Sequence, residues 1–235
     1  MQKTVILTPT YNERANIQYL VPELFSRYPD VYVMVIDDNS PDGTGDAVEE
    51  MMRSYPNLSI LKRERKQGLG AAYKAGMEAA LSDPSVEAII TMDADGSHDP
   101  EYVGALMEAG KSNGLVIGSR YTRGGNIENW EMWRFMLSRY GNLYARTITR
   151  LPLKDMTAGF MRIDADLLRH VDFASMRASG YAFLMELKYI LNKKLGASIA
   201  EVPIIFKSRR EGESKISGHI IREGLATPWR IILKK

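Results

Sequence analysis

The chain has 235 residues, 45% hydrophobic and 26% charged, with a net charge of +2 and no cysteine. That length can bury a large core in one domain, and the composition excludes a disordered or fibrous protein. The charge balance gives no global case for nucleic-acid binding, so nucleic acid is not an expected partner, and the lack of cysteine removes disulfides, thiolate nucleophiles and cysteine metal sites.

In chain order, short β-branched runs recur at Thr4 to Thr8, Val31 to Asp37, Leu58 to Lys62, Ala88 to Asp93 and Leu115 to Ser119. They read as strands. Helix-length patterns such as Asp42 to Tyr55 and Leu69 to Leu81 separate them, and the runs are apolar on both faces. This predicts an α/β, doubly wound, mostly parallel sheet covered by helices. Beyond Ser119 come an arginine- and aromatic-rich helix, a helix near Phe183 to Lys194, a strand at Ile199 to Phe206 and a basic tail. The catalytic unit is expected to span 1–215 and an amphipathic tail 216–235. Met1 leads straight into a strand, so no secretory leader is expected, and no segment approaches the roughly 20 apolar residues of a spanning helix.

Ligands of open parallel sheets bind beyond the carboxyl ends of the strands. The segments there are Pro9 to Glu13 (PTYNE), Asp37 to Ser40 (DDNS) and Asp93 to Asp95 (DAD), expected to line one cleft. Asp93 and Asp95, at alternate positions on extended chain, would direct two carboxylates to one side, which suits Mg²⁺ or Mn²⁺ completed by substrate phosphates. An isolated Asp-x-Asp is otherwise a solvated loop capping the next helix. Asp38 to Glu49 approaches a calcium-loop pattern, but a strand precedes it where a helix is needed and Pro41 lies inside it. Gly68-Leu69-Gly70 lacks the third glycine of a dinucleotide fingerprint, and no Gly-Lys-Ser/Thr phosphate loop occurs.

Between Arg120 and Arg150 there are six arginines against two acids. Arg134 and Ser138 fall side by side on a helix whose apolar face is read as Trp130, Trp133, Leu137, Tyr140, Tyr144 and Ile148. A guanidinium fork suits phosphate, and a solvated basic face is the plainer reading. Lys207, Arg209, Arg210 and Lys215 form a second basic cluster in a Gly- and Ser-containing loop able to close over a diphosphate. The tail carries Ile216, Ile220, Leu225, Trp229 and Ile232 at helical spacing among Arg222, Arg230, Lys234 and Lys235, with Pro228 expected to break or kink it. It could lie on a membrane surface or pack on the core.

Ten ordered blocks carry a resemblance over roughly residues 1–220: TPTYNE, VIDDNSPDGT, GLGAAYKAG, MDADGSHDP, IGSRYTRGG, W-x-x-x-R-x-x-x-S, TAGFMRI, GYAFLMEL, EVPIIF and GESK. Together they resemble the dolichyl-phosphate mannose synthases, within the inverting nucleotide-sugar glycosyltransferases that carry an Asp-x-Asp motif. The resemblance implies a glycosyltransferase A-type fold. It implies that Pro9, Tyr11, Glu13, Asp38, Gly70 and Ala94 border the donor nucleotide and that Asp93 and Asp95 hold a metal on its diphosphate. Ser97 stands where some relatives have a metal-touching glutamine. Arg120, Arg134 and Ser138 match positions that receive the acceptor phosphate, and Arg209 and Lys215 match a mobile loop over the donor. The catalytic set is then Asp95, Arg120, Arg134 and Arg209.

A phosphate monoester is already anionic at neutral pH and can attack a sugar carbon without a strong protein base, which fits a chain with three histidines and no visible nucleophile constellation. The leading expectation is mannose transfer from GDP-mannose to a polyprenyl or dolichyl phosphate with inversion, at the cytoplasmic face of a membrane. UDP-glucose as donor, a silent nucleotide-sugar module and a metal-dependent phosphohydrolase stay open. Some relatives add spanning helices after the catalytic domain, so a separate membrane-anchoring protein is an expected partner.

Overall fold

The computed structural model describes residues 3–176, 180–207 and 218–233. Seven strands form one sheet: β1 (Lys3–Thr10), β2 (Tyr32–Asp37), β3 (Leu58–Lys62), β4 (Val86–Thr91), β5 (Leu115–Ser119), β7 (Met161–Asp164) and β8 (Ile199–Pro203). Their order is β3-β2-β1-β4-β7-β5-β8. Every pairing is parallel except those of β7, which runs antiparallel to both β4 and β5. A two-stranded parallel sheet joins β6 (Asn126–Ile127) to β9 (Ile205–Phe206). The expected single strand from Ile199 to Phe206 is thus split at Ile204, a buried residue between two sheets.

Helices α1 (Arg14–Arg27), α2 (Thr44–Met51), α3 (Leu69–Leu81), α4 (Val103–Gly110) and α6 (Ala165–Arg169) complete the crossovers, and α5 (Met132–Thr149), α7 (Gly180–Tyr189) and α8 (Gly218–Leu233) stack together. Two apolar cores lie on opposite faces of the sheet, one around Leu7, Ile89, Ile117 and Phe183 and the other around Ile6, Ile90, Val116 and Phe160. Alternation along β1, β4 and β5 sends successive side chains to the two cores, which is why these strands read as continuously apolar. Gly76 is required where α3 crosses β2, since a Cβ there would lie 2.4 Å from Ile36 Cδ1.

One expectation changes. The helical segment containing Pro228 continues through it from Gly218 to Leu233. The turn there is secured from outside: the Tyr144 hydroxyl donates to the Leu225 carbonyl at 3.0 Å and Trp229 Nε1 donates to the Tyr144 oxygen at 2.8 Å. These bonds hold α8 on α5, and Ile231 enters the main core. The apolar face assigned to α5 does not cover the core. Trp133, Leu137 and Tyr140 are exposed, and the buried side of the helix is Asn142, Ala145 and Thr149. Small and hydroxylated side chains let this helix approach closely, leaving its large apolar side chains outward.

Candidate active site

The carboxyl ends of β1, β2, β4 and β5 share one edge of the sheet, so the segments that follow them meet there. The first two are tied together by side-chain to backbone bonds: Asn12 N donates to Ser40 Oγ at 3.0 Å, Glu13 N to Thr44 Oγ1 at 3.1 Å and Arg14 N to Asp42 Oδ2 at 3.1 Å. Asn12 and Asn39 adopt left-handed backbone at φ 60° and 57°, a conformation asparagine tolerates better than most side chains. Asp42, a candidate calcium ligand by spacing, instead accepts from Thr44 and Arg14.

Asp38 is buried and paired with Arg63, Nη1 to Oδ1 at 2.6 Å. Tyr11 is exposed, and Lys66 Nζ lies 3.9 Å from its ring centroid. Together these give the edge beyond β1 and β2 an aromatic face, a carboxylate and two cations. Pro9 is the last residue but one of β1, and Glu13 accepts from Asn16 Nδ2 at 2.6 Å. Gly70 opens α3 where a Cβ would meet Phe183 Cβ at 2.7 Å, so its lack of a side chain serves helix packing.

β4 ends at Thr91, two residues before the expected strand end, and Asp93 to His98 form a bend with Gly96 at φ 78°. The two carboxylates are therefore placed by loop hydrogen bonds rather than by strand alternation. The Tyr73 hydroxyl donates to Asp93 Oδ1 at 3.0 Å, and Ser97 donates to Asp95 Oδ1 through both N (3.0 Å) and Oγ (2.6 Å). Ser97 thus steadies Asp95, and Ala94 is packed away in the core beneath. Buried His98 accepts from Asp93 N at Nδ1, 3.0 Å, and stacks on Phe160. Burial holds its pKa below the usual value, against the pull of Asp93 and Asp95, so the ring is a neutral brace. Among the described residues no three acidic, histidine or cysteine side chains gather as a metal cluster. Two hard carboxylate oxygens at a strand end nevertheless suit Mg²⁺ or Mn²⁺, which take their other oxygens from water and phosphate.

Across the cleft, Arg120 follows β5 and grips Asp155 with Nε to Oδ2 and Nη2 to Oδ1, both 2.7 Å. Nη2 also reaches Thr157 Oγ1 at 2.7 Å. The Arg120 guanidinium stands 5.2 Å from the Phe206 ring centroid and 5.9 Å from that of Trp130, and Arg134 stacks over the same indole at 4.2 Å. Two guanidinium groups flanking one indole share a cation–π support that holds them near each other. Ser138, one turn beyond Arg134, accepts from the Tyr121 hydroxyl at 2.7 Å. Phe206 also meets His98 edge-on at 5.8 Å, joining the arginine side of the cleft to the aspartate side. Lys207, the next residue, pairs with Asp99 at 2.8 Å. Arg209 and Lys215 lie outside the described residues.

Asp155, Thr157, Phe206, Arg63 and Lys188 were not singled out for a role from the sequence. Lys188 carried a signal: a lysine within the apolar helix GYAFLMELKY needs a partner if buried.

The Glycosyl transferase family 2 profile matches residues 5–172. An undecaprenyl-phosphate mannosyltransferase of Micrococcus luteus is 40% identical over 97% of this chain and 96% of its own. A polyprenol monophosphomannose synthase of Mycolicibacterium smegmatis is 39% identical over 95% and 84%. Among solved structures, the glucosyl-3-phosphoglycerate synthase of Mycobacterium tuberculosis with Mn²⁺, UDP and phosphoglyceric acid superposes with a TM-score of 0.73 over 98% of this chain and 78% of that one, at 19% identity. With the sheet order, the strand-end aspartates and matches over nearly its whole length in agreement, the chain belongs to glycosyl transferase family 2.

Proposed function

We propose that this chain transfers mannose from GDP-mannose to a polyprenyl or dolichyl monophosphate, inverting the anomeric centre, at the cytoplasmic face of a membrane. Mannosyl transfer to a polyprenyl phosphate is the part carried by the names of two relatives that match over most of their length; GDP-mannose, inversion and the cytoplasmic face extend it. The geometry fits it: the carboxylate pair after β4 and the guanidinium groups of Arg120 and Arg134 are brought to one region by His98, Phe206 and Trp130.

In this reading Pro9, Tyr11, Glu13, Asp38, Gly70 and Ala94 border the donor, and Asp93 and Asp95, with Ser97 behind them, hold a divalent cation. That cation, Mg²⁺ or Mn²⁺, would neutralise charge on the leaving diphosphate, aided by Arg209 and Lys215. Arg120, Arg134 and Ser138 receive the acceptor phosphate and screen its repulsion from the donor. The phosphate, dianionic above a pKa of about 6, needs orientation more than deprotonation.

No described helix is long and apolar enough to cross a membrane. Met132, Trp133, Tyr140 and Leu143 on α5 and Leu225, Trp229 and Leu233 on α8, two helices that pack together, are all at least half exposed, and the same helices expose Arg139, Arg146 and Arg230. An exposed apolar surface with basic residues suits the headgroup region of a bilayer, where a polyprenyl phosphate is presented. Such attachment is weak, and a separate membrane-anchoring protein would strengthen it.

Incubation with labelled GDP-mannose or UDP-glucose, with and without lipid phosphate and metal, tests the reading. Mannosyl lipid formed only with lipid phosphate and metal is expected. Glucosyl lipid, sugar release without lipid, or donor binding without turnover would each replace it.

A further inference from the structure

We infer that Lys188 is a positioning residue for the acceptor-phosphate site: by clasping the segment that carries Asp155 and Thr157, it orients Arg120 and leaves that arginine's charge available to a phosphate. This rests on the acceptor assignment above and adds a residue to it.

The segment 154–159 has its backbone held by buried or half-buried side chains from four directions. Lys188 Nζ, fully buried, donates to the carbonyls of Met156 at 2.9 Å and Ala158 at 2.6 Å. Asn142 Oδ1 accepts from the amides of Met156 and Thr157 at 2.6 and 3.2 Å. Glu201 accepts from the amides of Lys154 and Asp155, and Thr91 Oγ1 donates to the Gly159 carbonyl at 2.6 Å. The two groups this segment then presents, Asp155 and Thr157, both bind Arg120. A backbone fixed so completely transmits its position to the guanidinium.

Charge completes the case. The charged groups felt by Lys188 are Asp155 on the clasped segment, Arg120 after β5 and Glu201 on β8; Glu186, two residues away on its own helix, projects in another direction. Arg120 and a protonated Lys188 stand together against the carboxylates of Asp155 and Glu201. Burial pushes the Lys188 pKa down to about 7, with Asp155 opposing. As pH rises through that value the ammonium is lost, one positive charge fewer stands beside Arg120, and a phosphate is attracted less. Conversely, a bound dianion favours the protonated lysine, so binding should draw in a proton.

Two measurements on a short-chain isoprenyl monophosphate test this. Calorimetry of the wild-type protein at pH 7.5, in buffers of different ionisation enthalpy, should show net proton uptake on binding. Zero uptake overturns the inference, and needs no variant. Lys188→Met should raise the acceptor KM roughly tenfold at pH 6.5 with donor KM nearly unchanged. It should also speed amide exchange at residues 156–159. Lys188→Arg, which keeps its charge, should flatten the wild-type rise of acceptor KM between pH 6.5 and 8.5. Equal increases in both KM values, or a wild-type pH profile parallel to that of Lys188→Arg, would overturn it. If wild-type protein transfers no mannose to any lipid phosphate, the functional reading fails, while proton uptake and exchange still judge the clasp.

Discussion

Replacing Asp155 by alanine strands a guanidinium inside the protein. Asp155 is fully buried and Arg120 nearly so, and the carboxylate accepts three bonds from Arg120, from Nε, Nη2 and the backbone amide. Arginine cannot discharge by losing a proton, so the variant has to bury an unpaired cation or open the segment to water. Removing one partner of a buried pair costs about 3–5 kcal/mol. A chain of 235 residues unfolds with an entropy of about 0.5 kcal/mol/K, so the melting temperature should fall by roughly 6–10 °C. Asp155→Asn keeps the shape and one acceptor and should lose about half as much. Burial pushes the Asp155 carboxyl up, but Arg120 and then Lys188 outweigh it and hold the pKa below the ordinary value. A depressed carboxylate pKa contributes stability above the unfolded pKa of about 4 and loses it as pH falls through the lower folded value. The part of the gap between wild type and Asp155→Ala that comes from this carboxylate should therefore shrink in denaturant titrations below about pH 4. An alanine variant melting within 2 °C of wild type would refute the view that this pair holds the acceptor side together.

Asp93→Ala and Asp95→Ala should abolish transfer while melting near wild type, because neither side chain belongs to the apolar cores; chelator-insensitive turnover would remove the metal from the reading. Arg134→Ala should impair acceptor use far more than donor binding, measured by calorimetry with GDP-mannose alone. The lowered Lys188 pKa means that the unfolded chain binds one more proton between pH 7 and about 10, so this group makes stability rise with pH there; in Lys188→Met that contribution to the slope should vanish, as read from urea midpoints. Trp133→Ser with Trp229→Ser should reduce sedimentation with anionic vesicles without affecting donor binding, a cleaner probe than deleting α8, whose Ile231 and Thr227 are buried.

Where local pattern and tertiary role coincide, the sequence was readable to the residue: Leu58–Lys62, Leu69–Leu81 and Leu115–Ser119 have the expected ends. The strand-end aspartates were legible because an apolar run stops just before them. β7 escaped because its four residues, MRID, include two charges and are held by neighbours from distant parts of the chain. The apolar face of α5 was legible but its outward direction was not, since helical periodicity reports a face but not what covers it. Arg120 was legible as an arginine near an anion site. Its partner Asp155 was not, because the pairing joins residues 35 apart through the sheet.

The antiparallel β7 also sets an order of events. Residues up to Thr91 supply β3, β2, β1 and β4, a four-stranded parallel sheet with the loops after β1 and β2 already at its edge. β5 cannot pair with β4 directly; both wait for Met161–Asp164 to come between them. A chain emerging from the ribosome can thus assemble this half early, while the half bearing Arg120 and Asp155 joins only when one short strand closes two open edges together. Fragments ending before Met161 should expose both edges and aggregate, which makes this four-residue insertion the step on which completion of the cleft depends.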